Sequence, residues 1–189
     1  MFNRIDLQKD QGGYYITDVY CEEKFYHYRA DQTPGTRLPS GLNTEHTWPQ
    51  SKFSNSFPKP VQKSDLHHLF PTLNKINSER GNLPFAEVYH GIDLSCEESQ
   101  SGSNVQTRAG TYFEPPDDHK GNVARAMFYF SVRYDIAIDP VQEYFFRQWH
   151  ILDPVDALEK QRHEGIYNVQ HNRNPFIDEP ELVNQVLDF

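Results

Sequence analysis

A carboxylate and an imidazole stand side by side in the stretch "NTEHTWPQSKF", residues 43–53, as Glu45 and His46. A third polar residue, Asn77, follows further along the chain in "NKINSERGN". Carboxylate and amide oxygens suit Mg²⁺, which needs only one or two protein ligands because it keeps several water molecules. A neutral histidine can take a proton from water near pH 7, since its unperturbed pKa is about 6.5. These residues predict metal-assisted attack of water on a phosphodiester, with His46 as general base and Glu45 and Asn77 as metal ligands.

Strand geometry limits how Glu45 and His46 can cooperate. Neighbouring residues in a regular strand point to opposite faces, so both can serve one site only if the strand ends or twists there. Pro49, three residues after His46, favours such an end. Otherwise the pair is an ordinary polar strand end.

Two short strands are expected to position the pair. The segment "YYITDVYC" (14–21) favours a strand, and a second strand is expected near residues 42–48. Turn signals at Pro34–Gly35 and Ser40–Gly41 separate them. Residues 53–63 are expected to form a loop.

A short helix over residues 71–82 would present Asn77. Thr72 suits its N-cap, and Gly81 suits the position just past its C-terminus. Asn77 and Arg80 are three positions apart, so they would share a face of this helix. Taken alone, Asn77 is more simply explained as a solvent-exposed residue.

The C-terminal half is expected to be mainly helical. Residues 95–110 are polar and irregular, whereas residues 122–135 are apolar on nearly every face and predict a buried central helix. Another helix is expected over residues 141–151, and a last short one from about residue 181. Between them, a helix capped by Asp153 and begun by Pro154 would align one row of residues: Val155, Leu158, Arg162, Ile166 and Val169.

The order of these elements indicates an α+β fold, with a small irregular β portion surrounded by helices. Strands and helices do not alternate as in βαβ units, and no Gly-rich phosphate loop is present. We predict a single domain over residues 1–189.

Composition excludes some functions and leaves the compartment open. The net charge of −9, from 27 acidic and 18 basic residues, argues against a general nucleic-acid coating protein but permits a local basic groove. No apolar run is long enough to span a membrane. The N-terminal segment "MFNRIDLQKD" lacks the apolar core of a signal peptide, so either the protein is intracellular or the given chain starts after a leader that was removed. Cys21 and Cys96 would be thiols in the cytosol or a disulfide after export.

Four segments, in this order, resemble the endonuclease I family: "NTEHTWPQSKF", "SDLHHLFPTLNKINSERGNLPF", "FEPPDDHKGNVARAMFYFSVRY" and "NRNPFID". These bacterial nucleases are mostly exported or periplasmic and carry a ββα-metal (His-Me finger) site. The resemblance covers roughly residues 14–180. It implies that His46 is the general base and that Glu45 and Asn77 hold the metal, usually Mg²⁺, with Mn²⁺ or Ca²⁺ as alternatives. It also implies cleavage of DNA, often RNA too, with little sequence preference, by a secreted or periplasmic protein. We expect a monomer with no membrane partner.

The chain departs from the family pattern in three places. Lys63 stands where some members have an acid before "SD". The segment after His46 is too short for the disulfide-bearing loop whose arginine helps hold the cut phosphate in some members, so Arg80 becomes a replacement candidate by location. The chain begins nearly at the first strand, and a leader is expected to be missing from it.

Basic residues near the proposed centre are expected to contact nucleic acid. These are Arg80, Lys52 and Lys75, with Lys59 and Lys63 close by in sequence. The set is small, so binding should depend on salt with a small slope.

Other polar residues favour structural roles. Asp65 and His67 are interpreted as a structural pair, because the adjacent His67 and His68 cannot easily aim at one metal ion. Arg173 is interpreted mainly as part of a packed loop, with a reach to phosphate as the alternative.

The arginines of the expected central helix also favour a structural role. Buried arginines usually pair with acids, so Arg125 and Arg133 would pair with Glu114 or Asp117.

Two other functions compete with a metal-dependent endonuclease. One is a non-catalytic nucleic-acid- or phosphate-binding module, suggested by Lys63 and the short loop. The other is a phosphodiesterase that acts on something other than nucleic acid. Incubation of plasmid with the protein and Mg²⁺ would distinguish the first from an enzyme.

Overall fold

The computed structural model describes residues 2–28 and 39–189, so the expected Pro34–Gly35 turn lies outside the described residues. The strands are β1 Gln8–Asp10, β2 Gly13–Thr17, β3 Lys24–Tyr28, β4 Leu42–His46, β5 Leu69–Leu73, β6 Val88–Asp93, β7 Gln100–Asn104 and β8 Tyr112–Glu114. The α-helices are α1 Phe2–Ile5, α2 Lys59–Ser64, α3 Asn74–Arg80, α4 Lys120–Tyr134, α5 Pro140–Leu152, α6 Ala157–Gln170 and α7 Pro175–Asp178. Short 3-10 helices cover Gln50–Lys52, Leu66–His68, Asp117–His119 and Pro180–Gln185.

The strands form small antiparallel sheets, ordered β1-β2-β3, β4-β5 and β6-β7-β8. In the two-stranded sheet, Glu45 lies opposite Phe70 and His46 lies opposite Leu69. The helix α3 follows β5 directly, so β4, β5 and α3 form a strand–strand–helix unit. Small sheets with helices around them confirm the predicted α+β class, whereas a single domain over residues 1–189 stays a prediction.

The first predicted strand is shorter than expected. It ends at Thr17 rather than at Cys21, because the buried carboxylate of Asp18 turns the chain. That carboxylate accepts hydrogen bonds from the backbone N–H groups of Tyr20, Cys21 and Leu73. The turn is therefore tied to the end of β5.

The helix that carries Asn77 begins later than predicted. Residues up to Leu73 pair with β4, so Thr72 is a buried strand residue and not an N-cap. Gly81 ends the helix as expected, with a φ of 56° and an N–H that bonds to the Asn77 carbonyl at 2.9 Å. A left-handed backbone of this kind favours glycine.

Residues 53–63 were expected to form a loop, which is correct for residues 53–58 and wrong for residues 59–63. Lys59–Ser64 is a helix with a proline in its first turn, a position where a missing N–H costs nothing. The polar segment 95–110 is also more regular than expected, because it contains β7.

The long C-terminal helices agree with the sequence except at one boundary. The predicted helices over residues 122–135 and 141–151 are confirmed as α4 and α5. The next helix is capped by Asp156, whose carboxylate accepts from the Glu159 N–H at 2.7 Å, and not by Asp153. Asp153 instead lies at the end of α5 and accepts from the Gly121 N–H at 2.7 Å.

The predicted apolar row on that helix is only partly correct. Ile166 is buried at 1% exposure, but Leu158 and Val169 are about half exposed, at 55% and 49%. The end of the chain is split between α7 and the 3-10 helix Pro180–Gln185 rather than forming one helix from residue 181.

The hydrophobic core surrounds α4. Its aromatic residues include Phe128, Phe130 and Trp149, which are fully buried. Trp48, two residues after His46, stacks on Phe130 with ring centroids 5.1 Å apart. The core therefore anchors the chain directly beyond the His46 end of β4.

Both arginines of α4 pair with acids, but not with those expected, and only Arg125 is buried. Arg125 pairs with Glu159 at 2.7 Å, and Arg133 pairs with Asp65 at 3.1 Å. The expected partners, Glu114 and Asp117, both lie 2.7 Å from Lys120 instead.

A disulfide joins Cys21 and Cys96, with a Cα–Cα distance of 5.6 Å. It connects the turn after β2 to the segment before β7, which are 75 residues apart in sequence. Of the two states that the sequence left open, the structure has the oxidised one. Among the described residues, none of the helices has the length and apolar character needed to cross a membrane.

Candidate active site

One cleft of about 790 Å³ brings together the three residues that the sequence proposed for chemistry. Glu45 and His46 are the last two residues of β4, and Asn77 lies in the middle of α3. All three line the cleft, together with Lys63 from the last turn of α2. The strand–strand–helix unit therefore forms one wall, and α2 closes the side next to His46.

Glu45 points beneath α3 and is only 1% exposed. Its Oε1 atom accepts a hydrogen bond from the Tyr20 hydroxyl at 2.9 Å and lies 2.9 Å from Nη1 of Arg80. Burial raises the pKa of Glu45 above its usual range, while the charge of Arg80 and the hydrogen bond from Tyr20 oppose this shift. The carboxylate is thus paired on one oxygen at a wall of the cleft.

The contacts of His46 favour one tautomer of its ring. Its Nε2 lies 3.1 Å from the carbonyl oxygen of Lys63, which can only accept, so Nε2 carries the proton and Nδ1 carries the lone pair. The side-chain nitrogen of Gln50 lies 3.4 Å from Nδ1, at the outer limit of a hydrogen bond. Burial lowers the pKa of His46 below its usual range, which favours the neutral ring.

The segment that supplies the Lys63 carbonyl is itself held in place. The neighbouring Gln62 carbonyl lies 2.8 Å from Nε2 of the buried His68, whose ring centroid is 5.4 Å from that of His46. Two residues after Lys63, Asp65 caps the 3-10 helix Leu66–His68, because its carboxylate accepts a hydrogen bond from the His67 N–H at 3.1 Å. The end of α2 therefore orients two histidine rings through its backbone carbonyls.

Asn77 is oriented by the strand beneath it. Its Nδ2 donates to the Thr44 carbonyl at 3.2 Å. That bond commits the amide nitrogen to the protein, and no hydrogen bond to Oδ1 is found among the described residues. The amide oxygen is the atom that can bind a ligand in the cleft.

The donor set fits a hard divalent cation. It offers one carboxylate and one amide oxygen at the wall of a polar cleft, and Mg²⁺ accepts such a set with water completing the shell. Residues 2–28 and 39–189 contain no group of three or more His, Cys, Asp or Glu side chains placed to hold a metal. A cation in this cleft would therefore depend on Glu45, Asn77 and water.

Arg80 is not where a phosphate contact would require it. Its side chain is 1% exposed, and its guanidinium is bound to Glu45 and to the carbonyls of His46, at 3.2 Å, and Thr47, at 2.8 Å. Sequence spacing placed Arg80 on the correct helix but could not show that it points inward.

Comparison with known proteins assigns the chain to a family. The sequence model of the family named Endonuclease I matches residues 1–181. The chain belongs to the endonuclease I family.

Curated relatives include nucleases named for both kinds of nucleic acid. An extracellular ribonuclease of Bacillus amyloliquefaciens is 35% identical, over 76% of this chain and 53% of its own length. An extracellular deoxyribonuclease of Aeromonas hydrophila is 29% identical, over 61% of this chain and 49% of its own length. An endonuclease-1 of Buchnera aphidicola (subspecies Acyrthosiphon pisum) is 27% identical, over 61% of this chain and 44% of its own length. The chain thus spans about half the length of these relatives.

Two of the other basic residues proposed for nucleic-acid contact, Lys52 and Lys75, lie outside the cleft of this family member. Lys52 and Lys75 are exposed, but neither lines the cleft. Nζ of Lys75 lies 4.0 Å from Oε1 of Glu79. Lys63 is exposed and does line the cleft. A role for Lys52 and Lys75 in binding stays a prediction.

Two residues of the site had no signal in the sequence. Tyr20 reaches Glu45 from the turn after β2, 25 positions earlier, so no local pattern could have found it. Gln50 lies beside His46 only because the 3-10 helix Gln50–Lys52 turns the chain back after Pro49.

Asp65 has the structural role proposed for it. It accepts from the hydroxyls of Tyr129 and Tyr134 at 2.9 and 2.7 Å as well as from the His67 backbone. Its carboxylate therefore joins α4 to the segment that follows α2.

Arg173 is held by two carboxylates. It bonds to Asp178 and to Glu164, each at 2.6 Å, which agrees with the structural interpretation of its loop.

Proposed function

We propose that this protein is a divalent-metal-dependent endonuclease that hydrolyses phosphodiester bonds of DNA, and of RNA, with little sequence preference. The observation that carries the proposal is the single cleft shared by Glu45, His46 and Asn77. Membership of the endonuclease I family, with relatives named as ribonucleases and deoxyribonucleases, supports the substrate class.

In the proposed reaction, Nδ1 of His46 takes a proton from a water molecule. The water oxygen then forms a bond to phosphorus, the bond from phosphorus to the leaving oxygen breaks, and that oxygen takes up a proton from solvent. The Lys63 carbonyl supports this role because it holds the Nε2 proton and keeps Nδ1 as the base.

Glu45 and Asn77 would hold Mg²⁺, with Mn²⁺ or Ca²⁺ as alternatives, through one carboxylate and one amide oxygen. When bound, the cation would offset the negative charge that develops on the phosphate and on the leaving oxygen. The described cleft supports this because both residues line it beside His46.

We also propose that the protein acts outside the cytoplasm and as a monomer. The Cys21–Cys96 disulfide supports an oxidising compartment, and so do relatives named as extracellular or periplasmic nucleases.

The test is cleavage of supercoiled plasmid and of single-stranded RNA, each with Mg²⁺ and with EDTA. The proposal predicts cleavage with Mg²⁺ and none with EDTA. Nucleic-acid binding without cleavage under any divalent cation would favour a non-catalytic module instead. Undiminished cleavage in EDTA would contradict the proposed metal.

Variants of the proposed ligands refine this test. Glu45→Gln and Asn77→Ala should raise the Mg²⁺ concentration needed for half-maximal cleavage. Asn74→Ala is the matched control, because Asn74 is exposed on the same helix and does not line the cleft. Equal Mg²⁺ requirements in Asn77→Ala and Asn74→Ala would argue against Asn77 as a ligand.

A further inference from the structure

Arg80 is a buried cation at the junction of α3 and β4. It is the last residue of α3, its side chain is 1% exposed, and its guanidinium carbon lies 4.4 Å from the ring centroid of Phe85. A buried charge of this kind needs paired groups around it to offset its lost hydration.

Arg80 and Tyr20 act on the same atom of Glu45. Nη1 of Arg80 and the Tyr20 hydroxyl each lie 2.9 Å from Oε1, and they approach it from different elements. Two donors on one oxygen fix the rotation of the carboxylate, because turning it would break both bonds. No hydrogen bond or ion pair to Oε2 is found among the described residues, and Glu45 lines the cleft.

Arg80 also fixes the backbone that carries the proposed base. Its guanidinium donates to the carbonyls of His46, at 3.2 Å, and Thr47, at 2.8 Å. These are the last residue of β4 and the one after it, where the strand must end for Glu45 and His46 to share one cleft. One side chain therefore sets both the carboxylate and the strand end.

We propose that Arg80 is a positioning residue that, with Tyr20, holds Oε1 of Glu45 so that Oε2 is presented to a divalent cation in the cleft. The inference rests on the proposed function, because it assigns how the proposed metal ligand is oriented. Residues that orient a metal ligand commonly change metal affinity by about 10- to 100-fold when they are replaced.

Arg125 provides a matched control for burial and charge. It is also fully buried and also paired with a glutamate, Glu159, but neither residue lines the cleft. Arg125→Met should destabilise the protein much as Arg80→Met does, without altering metal affinity. A purely structural role for Arg80 would make the two variants alike in both measurements.

The experiment is direct titration of Mn²⁺ into the protein, followed by electron paramagnetic resonance of the unbound ion. It is performed in a His46→Ala background, so that no cleavage is needed for the readout. Arg80→Lys, Arg80→Met, Tyr20→Phe and Arg125→Met are compared with that parent, and thermal unfolding is measured for each.

The proposal predicts that Arg80→Lys and Arg80→Met weaken Mn²⁺ binding by about tenfold or more. Tyr20→Phe, which removes one donor and keeps the ring, should weaken it less but in the same direction. Arg125→Met should bind as the parent does.

Unchanged Mn²⁺ affinity in folded Arg80→Lys and Tyr20→Phe would overturn the proposal while leaving the metal site intact. If the Arg80 variants do not fold, Tyr20→Phe decides alone. Weaker Mn²⁺ binding by Tyr20→Phe than by the parent would support the proposal, and equal binding would overturn it. If the parent itself binds no Mn²⁺, the proposed metal site fails first and this inference fails with it.

Discussion

Replacing Asp65 by Asn should destabilise the protein strongly, although it changes one oxygen to a nitrogen of similar size. Asp65 is 3% exposed, and its carboxylate accepts from donors on three elements of the fold: the 3-10 helix Leu66–His68, α4 and α6. Oδ1 receives the His67 N–H at 3.1 Å and the Gln170 amide at 2.8 Å, and Oδ2 receives two tyrosine hydroxyls and Nε of Arg133 at 3.1 Å. The site is a junction of α4, α6 and the segment that positions the Lys63 carbonyl.

The magnitude follows from counting the donors that an amide cannot satisfy. An amide nitrogen in place of Oδ1 leaves both the His67 N–H and the Gln170 amide without an acceptor. Each buried donor left unpaired costs about 1–3 kcal/mol, so Asp65→Asn should lose about 4 kcal/mol of the free energy of unfolding. For a chain of this size that corresponds to a fall in Tm of roughly 8–16 °C.

The pH dependence of this loss has a defined sign. Burial acts to raise the pKa of Asp65, but hydrogen bonds from Gln170 and Tyr134 outweigh it and hold the pKa below its usual range. A lowered pKa stabilises the fold above the usual value of about 3.9 and ceases to do so as the pH falls through the folded pKa. The difference between wild type and Asp65→Asn should therefore be largest at neutral pH and shrink below about pH 4.

Urea unfolding at pH 7 and at lower pH values measures both effects. Asp135→Asn is the control, because Asp135 is exposed and has a left-handed backbone that Asn also tolerates. It should change stability by less than about 0.5 kcal/mol. A loss below about 1 kcal/mol for Asp65→Asn, or a loss that does not shrink in acid, would refute this account of the junction.

Two further predictions concern the disulfide and the substrate surface. Cys21→Ser with Cys96→Ser releases a cross-link spanning 75 residues, so the free energy of unfolding should fall by about 4 kcal/mol in urea titrations. A double variant as stable as the oxidised wild type would contradict this. Lys63→Ala should weaken DNA binding equally for all sequences and reduce the slope of log affinity against log salt by about one. Lys160 is an exposed lysine on α6 that does not line the cleft, so Lys160→Ala should change neither the affinity nor the slope. Identical slopes for the two variants would remove Lys63 from the substrate surface.

The sequence was informative where local chemistry decides the structure. Periodicity and apolar content located α4 and α5, and Gly81 marked the end of α3. The grouping of Glu45 with His46 and Asn77 was also readable, because the family motifs keep these residue types in order.

The sequence was uninformative where a residue distant in the chain determines the local structure. The strand predicted over residues 14–21 ends early, at Thr17, because the Asp18 carboxylate accepts a hydrogen bond from the backbone of Leu73, 55 positions away. Arg125 pairs with Glu159 rather than with an acid near it in sequence, since the packing of α6 against α4 brings them together. Arg80 could not be assigned from spacing either, because helix position gives a face but not the depth at which it is buried.

Cleavage by the His46→Ala variant is the most direct test of whether His46 acts as the general base. His46 is proposed to take the proton from water, so its loss should lower the rate of plasmid cleavage by about 10²- to 10⁴-fold in saturating Mg²⁺. His171→Ala is the control, because His171 is exposed at the end of α6 and does not line the cleft. We expect the His46→Ala protein to fold and to bind Mn²⁺ but to lose cleavage. A folded His46→Ala protein that cleaves plasmid at the rate of His171→Ala would contradict it.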